Sequence, residues 1–454
     1  MRRPIRVTDR LLAAGVVPAA LLAGGLTAGA GAAPAVPPVP LPNPDRPAIT
    51  PVTRSLDLTA PRSEDGACRK MRRKATTGNS TRSLTVVDLD SGEEVCSRAP
   101  NRVQALASNT KILTTAAVLG RLGPSHQLRT RLFADGRIDE EGTLDGDLYL
   151  KGGGDPALGV SPFLRNYLGG AGTRIDRIVG LAREAGLRKV TGRVYGDETV
   201  FDSLRGVADS GYATSLWIGP LSGLSINAGF TGASLSTFSP NPARLATRTL
   251  VKRLRGRNVT VKRKAALAKT PRAVTDTDPL ADVESEDMAW MARVTNVNSN
   301  NFFAEMLVKA LGAAKGRGGS TSAGTRVVRR FASSLGASVR PVDGSGLTIT
   351  NRASARAIAE LLVSAREEDW WQPFRDSLPI AGREGTVAYR MRGSAAEGRC
   401  RTKTGTLTGV SALSGYCFNR SGRKFAFSIL MNGVSDTYSA RAAQDRIAAL
   451  VAGL

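Results

Sequence analysis

The chain has 454 residues, too many for one compact core, and the usual size of folded units predicts two or three domains. Its 41% hydrophobic and 22% charged content excludes an intrinsically disordered chain. A net charge of +24 favours anionic partners, namely nucleic acid, acidic lipid or acidic wall polymer.

The N-terminus narrows that choice. A cationic start, Met1-Arg-Arg-Pro-Ile-Arg6, precedes a stretch of Leu, Val, Ala and Gly over residues 11–33 that ends in small residues. This is the pattern of a secretory signal. The stretch is just long enough to be an uncleaved membrane anchor, but its Gly and Ala content makes it weakly hydrophobic and favours cleavage. No cysteine lies near the cut site, so a lipid-modified cysteine is excluded. The protein is expected to work outside the cytoplasmic membrane, secreted or held at the wall or membrane by this segment. That setting removes nucleic acid and leaves anionic wall polymers as a partner class.

Residues 34–61 are proline-rich and read as an extended linker. Cys68, Cys96, Cys400 and Cys417 show no Cys-x-x-Cys spacing, and the lone histidine, His126, is close to none of them. They read as disulfides in an oxidising compartment, and no metal or other cofactor is expected. Of the three possible pairings, the shorter loops favour Cys68 with Cys96 and Cys400 with Cys417.

From Ser83 the sequence alternates as a strand, and Asp90-Ser-Gly92 is a turn. An apolar run over residues 112–119 predicts a helix with Ser108 at its N-terminus. Residues 127–275 carry short alternating segments between glycine-rich turns, which predicts a mostly β inserted domain with a helix near residues 175–185. Helical patterns return at 288–311, 320–335 and 353–365. Two alternating runs around the turn at Asn419-Arg-Ser-Gly422 predict a buried hairpin, and residues 441–454 a final helix. The organisation expected is a signal at 1–33, a linker at 34–61, a catalytic domain from 62–126 and 276–454, and the insertion between them. The fold class is α/β of the α+β kind.

Three segments carry the chemistry. In Ser108-Asn-Thr-Lys111 a three-residue offset on a helix puts a nucleophile and an amine on one face. The helix N-terminus adds a positive dipole end and free N–H groups for a developing anion. The bland reading of Ser108 is a helix cap. A second match, Ser421-Gly-Arg-Lys424, lies in the hairpin turn and reads as a solvated turn. Ser299-Asn-Asn301 precedes an apolar helix and could equally be capping chemistry. Lys403-Thr-Gly405 opens the hairpin and could be an exposed edge lysine. A Ser-His-Asp hydrolase would have to use His126, and no Gly-x-Ser-x-Gly elbow accompanies it. A lysine base is therefore the better reading.

Taken together and in this order, the three segments resemble those of the serine penicillin-recognising enzymes. More closely, the chain resembles the family of penicillin-binding protein 4, the D-alanyl-D-alanine carboxypeptidase/endopeptidases. The resemblance extends to Lys151-Gly-Gly-Gly-Asp-Pro-Ala-Leu158, Gly196-Asp-Glu-Thr-Val-Phe-Asp202, Asp343-Gly-Ser-Gly-Leu347 with Asn351, and Ser377-Leu-Pro-Ile-Ala-Gly382 with Gly385-Thr386. The long insertion before Ser299 fits the same family. Ile349 and Glu384 depart from the family pattern, which usually has arginine and aspartate there.

The resemblance implies a β-lactamase/transpeptidase-like domain, an antiparallel sheet flanked by helices. It implies Ser108 as nucleophile on peptidoglycan stem peptides ending in D-Ala-D-Ala, with β-lactams as acylating pseudo-substrates. Lys111 would be a neutral base kept neutral by burial and by Lys403, and Ser299 would pass the proton to the leaving amine. Asn301, Lys403, Thr404, Gly405 and Thr406 would bind substrate. Backbone N–H groups of Ser108 and Thr406 would form the oxyanion hole. Asp155, Asp197 and Asp343 read as turn-formers. The basic stretch from Lys252 to Arg272 reads as a solvated face, with binding of an anionic wall polymer the sharper alternative. A β-lactamase would share the three segments but lacks here the Glu-x-x-Leu-Asn loop that deacylation normally uses. A catalytically silent wall-binding or penicillin-sensing module is the non-enzymatic alternative.

Overall fold

The computed structural model describes residues 66–75, 81–232 and 235–454. The signal segment and the proline-rich linker lie outside the described residues. A five-stranded antiparallel sheet forms the centre, in the order Cys400–Leu407, Val410–Phe418, Lys424–Asn432, Thr81–Asp88, Glu94–Arg98. The early strand Thr81–Asp88 pairs along its whole length with Lys424–Asn432. The two ends of the chain thus close one sheet, and everything between them is inserted into it.

Both faces of this sheet are covered, which explains its near-continuous apolar runs. Along Lys424–Asn432 the side chains alternate between two cores. Phe425, Phe427, Ile429 and Met431 pack with Met71 of helix Gly66–Lys74 and Ile447 of helix Thr437–Val451. Ala426 and Leu430 face a larger core with Ile112, Met291, Phe303 and Ile358. Burying one such phenylalanine contributes about 1.5–3 kcal/mol. That larger core belongs to helices Thr110–Leu122, Met288–Val297, Asn301–Lys315, Thr321–Ser334 and Ala355–Ala365. Both disulfides form with the expected pairing, Cys68–Cys96 and Cys400–Cys417. Cys400 and Cys417 are direct cross-strand partners.

The intervening segment is richer in helix than its glycine-rich texture predicts. Besides Ile175–Glu184, which lies where a helix is expected, it carries Ser161–Leu168 and Pro242–Arg255. Its five-stranded sheet is mixed, because Asp147–Lys151 and Val194–Asp197 run parallel. Parallel neighbours need long crossovers, and helices supply them here. The strand Ala281–Asp287 pairs with Gln127–Asp135 and so joins this sheet, beyond the expected boundary at residue 275. Among the short alternating segments of 127–275, the one at residues 233–237 falls partly outside the described residues, and an isolated bridge joins Phe230 and Phe238. Among the described residues no helix is long and apolar enough to cross a membrane.

Candidate active site

The chain turns into the site through a short 3-10 helix, Ala107–Asn109, that runs into Thr110–Leu122. Ala107 has φ +47°, a left-handed conformation that costs a non-glycine residue free energy. Such strain persists where surrounding contacts over-determine it, and two of them are visible. A Cβ on Gly346 would meet the Ala107 carbonyl oxygen at 1.9 Å, and one on Gly405 would meet the Leu106 carbonyl oxygen at 2.6 Å. Both positions must be glycine for the nucleophile turn to sit against its neighbours.

Ser108 is half-buried, and Lys111, three residues on, is fully buried. Lys111 Nζ donates to Ser108 Oγ at 3.0 Å, to Asn301 Oδ1 at 2.7 Å and to the Ser345 carbonyl at 2.6 Å. Its three directions are therefore all used; Asn301 Oδ1 and the Ser345 carbonyl can only accept, so in the neutral amine the lone pair faces Ser108 and accepts from its hydroxyl. Burial lowers its pKa to about 7, against the opposing charges of Glu305 and Asp343. Sequence reasoning expects the nearby cation Lys403 to help. The repulsion between the two amines instead falls on Lys403, which burial and Lys111 together hold well below the usual lysine range.

The helical pattern expected over residues 288–311 is broken into Met288–Val297 and Asn301–Lys315. The break holds Ser299, at φ +51°, and Asn300, whose side chain caps the second helix by accepting from Phe303 N at 3.1 Å. Capping is thus the work of Asn300, which leaves Ser299 and Asn301 for the site. Asn301 Nδ2 donates to the Trp217 carbonyl of the insertion at 2.9 Å, which points Oδ1 at Lys111.

Lys403 lies on the edge strand Cys400–Leu407 and is fully buried, not an exposed edge lysine. Its Nζ donates to Ser299 Oγ at 2.9 Å and to the Thr404 carbonyl at 2.9 Å. Asn109 Nδ2 donates to the Lys403 carbonyl at 2.9 Å and so ties this strand to the nucleophile turn. Thr404 Oγ1 donates to Thr386 Oγ1 at 2.9 Å, and Arg441 Nη2 donates to Thr406 Oγ1 at 3.1 Å. Ser108, Lys111, Ser299, Asn301, Lys403 and Gly405 thus meet at one place, with Thr404 and Thr406 continuing along the strand.

Chemically, this arrangement pairs a hydroxyl with an amine of lowered proton affinity. It sets a second hydroxyl beside a second buried amine, on an edge strand whose first residues, Cys400–Thr402, are bonded by Pro379 and Ala381.

The other sequence readings fall into place around it. Ser421 only bonds its own turn, through Asn419 Oδ1, and is exposed. Asp343 accepts from Gly346 N, Thr348 N and Asn351 Nδ2, and Asp155 and Asp197 accept from Ala157 N and Thr199 N, as turn-formers do. In the basic stretch Arg253 pairs with Asp176 at 3.6 Å. Sequence reasoning missed Glu305, the Trp217 carbonyl and Arg441, and it picked out the segments of Ser345 and Thr386 without giving either residue a role. A lone buried Glu in a helix carries no local signal, and a backbone carbonyl carries none at all.

Comparison with known proteins agrees with this geometry. The model of the D-Ala-D-Ala carboxypeptidase 3 (S13) family matches residues 72–240 and 225–454. The D-alanyl-D-alanine carboxypeptidase of Actinomadura sp. (strain R39) is 32% identical, over 81% of this chain and 80% of that protein. Carboxypeptidase DacB of Mycolicibacterium smegmatis is 29% identical over 99% of this chain and 97% of its own. The crystal structure of penicillin binding protein 4 (dacB) from Haemophilus influenzae shares the fold, with a TM-score of 0.68 at 19% identity over 85% of this chain and 98% of that one. On this extent of agreement, over both halves of the sheet and the segment between them, the chain belongs to the D-Ala-D-Ala carboxypeptidase 3 (S13) family.

Proposed function

We propose that the protein is a serine-type D-Ala-D-Ala carboxypeptidase that trims peptidoglycan stem peptides through an acyl-enzyme on Ser108. The observation that carries this is the contact of Lys111 Nζ with Ser108 Oγ at 3.0 Å in a fully buried setting. A lysine with its pKa lowered to about 7 is substantially neutral at physiological pH and can accept the serine proton.

Ser108 Oγ attacks the carbonyl between the two terminal D-alanines as its proton passes to Lys111. The backbone N–H groups of Ser108 and Thr406 receive the developing oxyanion, each such donor contributing about 2.7–4 kcal/mol. Ser299, beside Lys403, relays the proton from Lys111 to the leaving D-alanine amine, which leaves Ser299 unchanged and returns Lys111 to its neutral form. Lys403, Thr404 and Thr406 hold the terminal carboxylate, and Arg441 stands behind Thr406. Asn301 orients Lys111 and the substrate amide. Water then hydrolyses the ester and frees Ser108. β-Lactams present a similar carbonyl and carboxylate and acylate the same serine. The two disulfides support an extracytoplasmic, oxidising setting.

Mass spectrometry of penicillin-treated protein tests the reading. One adduct on Ser108, released slowly, together with D-alanine release from a peptide ending in D-Ala-D-Ala, is the expected result. Rapid turnover of the penicillin would indicate a β-lactamase instead. Wall binding without D-alanine release, unchanged in Ser108→Ala, would indicate a silent binding module.

A further inference from the structure

Glu305 lies one turn along the helix from Asn301, on the same face. It is fully buried and points at the turn Asp343-Gly-Ser-Gly346. Its Oε1 accepts from Ser345 N at 2.7 Å and Gly344 N at 3.0 Å, and Oε2 accepts from Gly344 N at 3.2 Å. The carbonyl of the same Ser345 accepts from Lys111 Nζ at 2.6 Å. Asp343 closes the turn from its other side, through Gly346 N and Thr348 N at 2.7 Å each.

We propose that Glu305 is a positioning residue for acylation: it clamps the peptide that aims Lys111 at Ser108, and its charge stabilises the ammonium Lys111 becomes. This rests on the assignment of Ser108 and Lys111 above. In the step concerned the Ser108 Oγ–carbon bond forms, the carbonyl electrons move onto its oxygen, and the Ser108 proton moves to Lys111. Glu305 exchanges no proton in it. The new positive charge appears in a fully buried place, where an unpaired cation is expensive.

A neutral amide would keep the two N–H bonds to Oε1 and lose only the longer one to Oε2, without the cost of burying a carboxylate, so a purely structural role does not account for the charge. The groups facing Glu305 are consistent with an electrostatic one. Lys111 stands on the nucleophile helix, and Lys309 one turn along its own helix. Lys309 is held by Asp202 and by the Leu204 carbonyl of the insertion, with Arg205 nearby. Asp343 faces it from the turn. Burial, then Asp343, pushes the Glu305 carboxyl up, but every printed hydrogen bond of its two oxygens is one they accept, from Gly344 and Ser345. These bonds pull it back down and favour the carboxylate, whose charge in turn supports protonation of Lys111.

The test measures penicillin acylation and D-alanine release against pH in wild type, Glu305→Gln and Glu305→Asp, with melting temperatures alongside. In Glu305→Gln, kcat is expected to fall roughly 10- to 100-fold at unchanged KM. Its acidic limb should move to lower pH, because removing the negative charge lowers the proton affinity of Lys111. Glu305→Asp keeps the charge and should keep the limb where wild type has it, at a reduced rate. A limb in Glu305→Gln that coincides with wild type, or a rate loss that tracks only the melting temperature, would overturn the proposal. Should Glu305→Gln not fold, the aspartate variant decides, and a displaced limb or a change confined to KM counts against the idea. Absence of a Ser108 adduct from the wild type would sink the underlying assignment, and is a separate outcome.

Discussion

At the scale of single residues, the site runs on the proton affinities of two buried amines. In the proposed mechanism Lys111 must be neutral to act, so acylation by penicillin should rise with pH through about 7, the value set by its burial. Lys111→Met should lower the acylation rate by about 10²–10⁴-fold, the usual contribution of a general base. A rate that is flat from acidic to alkaline pH would remove Lys111 from the mechanism. Lys403 is expected to discriminate free carboxylate from amide. Wild type should prefer a peptide ending in D-Ala over its C-terminal amide, and Lys403→Ala should lose about 1.5–3 kcal/mol of that preference. Equal preference in both proteins would assign the carboxylate elsewhere, with Arg441 the next residue to change. The Ser108–Lys111 pair is legible in the sequence because its geometry is local, three residues along one chain turn. The groups that shape Lys111 are not, since Asn301, Glu305 and Ser345 reach it from about 190 to 234 positions away.

At the scale of elements, the decisive features are a broken helix and a tight strand. Asn300 caps the helix that begins at Asn301, and Asn300→Ala should destabilise the protein by about 1 kcal/mol, read as a lowered melting temperature. Ser299 and Asn301 flank it with their side chains free for the site, which a continuous helix would not allow. Apolar periodicity runs straight through this break; Ser299-Asn-Asn301 signals a helix start within it, but not which of the three residues does the capping. Gly405 is the counterpart on the edge strand. Gly405→Ala would drive a methyl group into the Leu106 carbonyl oxygen at 2.6 Å, and should depress acylation more than it lowers the melting temperature, because the displaced strand carries Lys403. An alanine variant with full acylation would mean that the strand tolerates the shift. The insertion was harder to read. Its strands are short, two to nine residues, and its glycine-rich turns obscure the helices that connect the parallel ones.

At the scale of the whole molecule, one composite sheet holds the halves of the chain together, and a disulfide braces each half within itself. Each bridge closes a short loop, 28 and 17 residues in separation. Loop entropy assigns each about 3 kcal/mol. Replacing Cys400 and Cys417 by alanine should lower stability by that order and also slow acylation, since Cys400 starts the strand that carries Lys403. Replacing Cys68 and Cys96 should lower stability with little effect on acylation. The reverse pattern would contradict the placement of the catalytic strand. The insertion meets the candidate site through the Trp217 carbonyl on Asn301 and holds the neighbouring Lys309 through Asp202, so it bears on how Asn301 is oriented.

By itself the sequence picked out the three segments that carry the proposed chemistry, and it favoured, among three possible pairings, the disulfides that form. The Ser108–Lys111 pair is local, the three segments keep their order, and short loops close most easily. It also determined the presence of the central hairpin, since strand alternation is a property of consecutive residues. Only the tertiary structure decided that Lys403 is buried, that Asn300 does the capping, and that Glu305 reaches Lys111 through the Ser345 peptide. Each of those depends on side chains from distant segments meeting in one low-dielectric place, and no spacing along the chain encodes such a meeting.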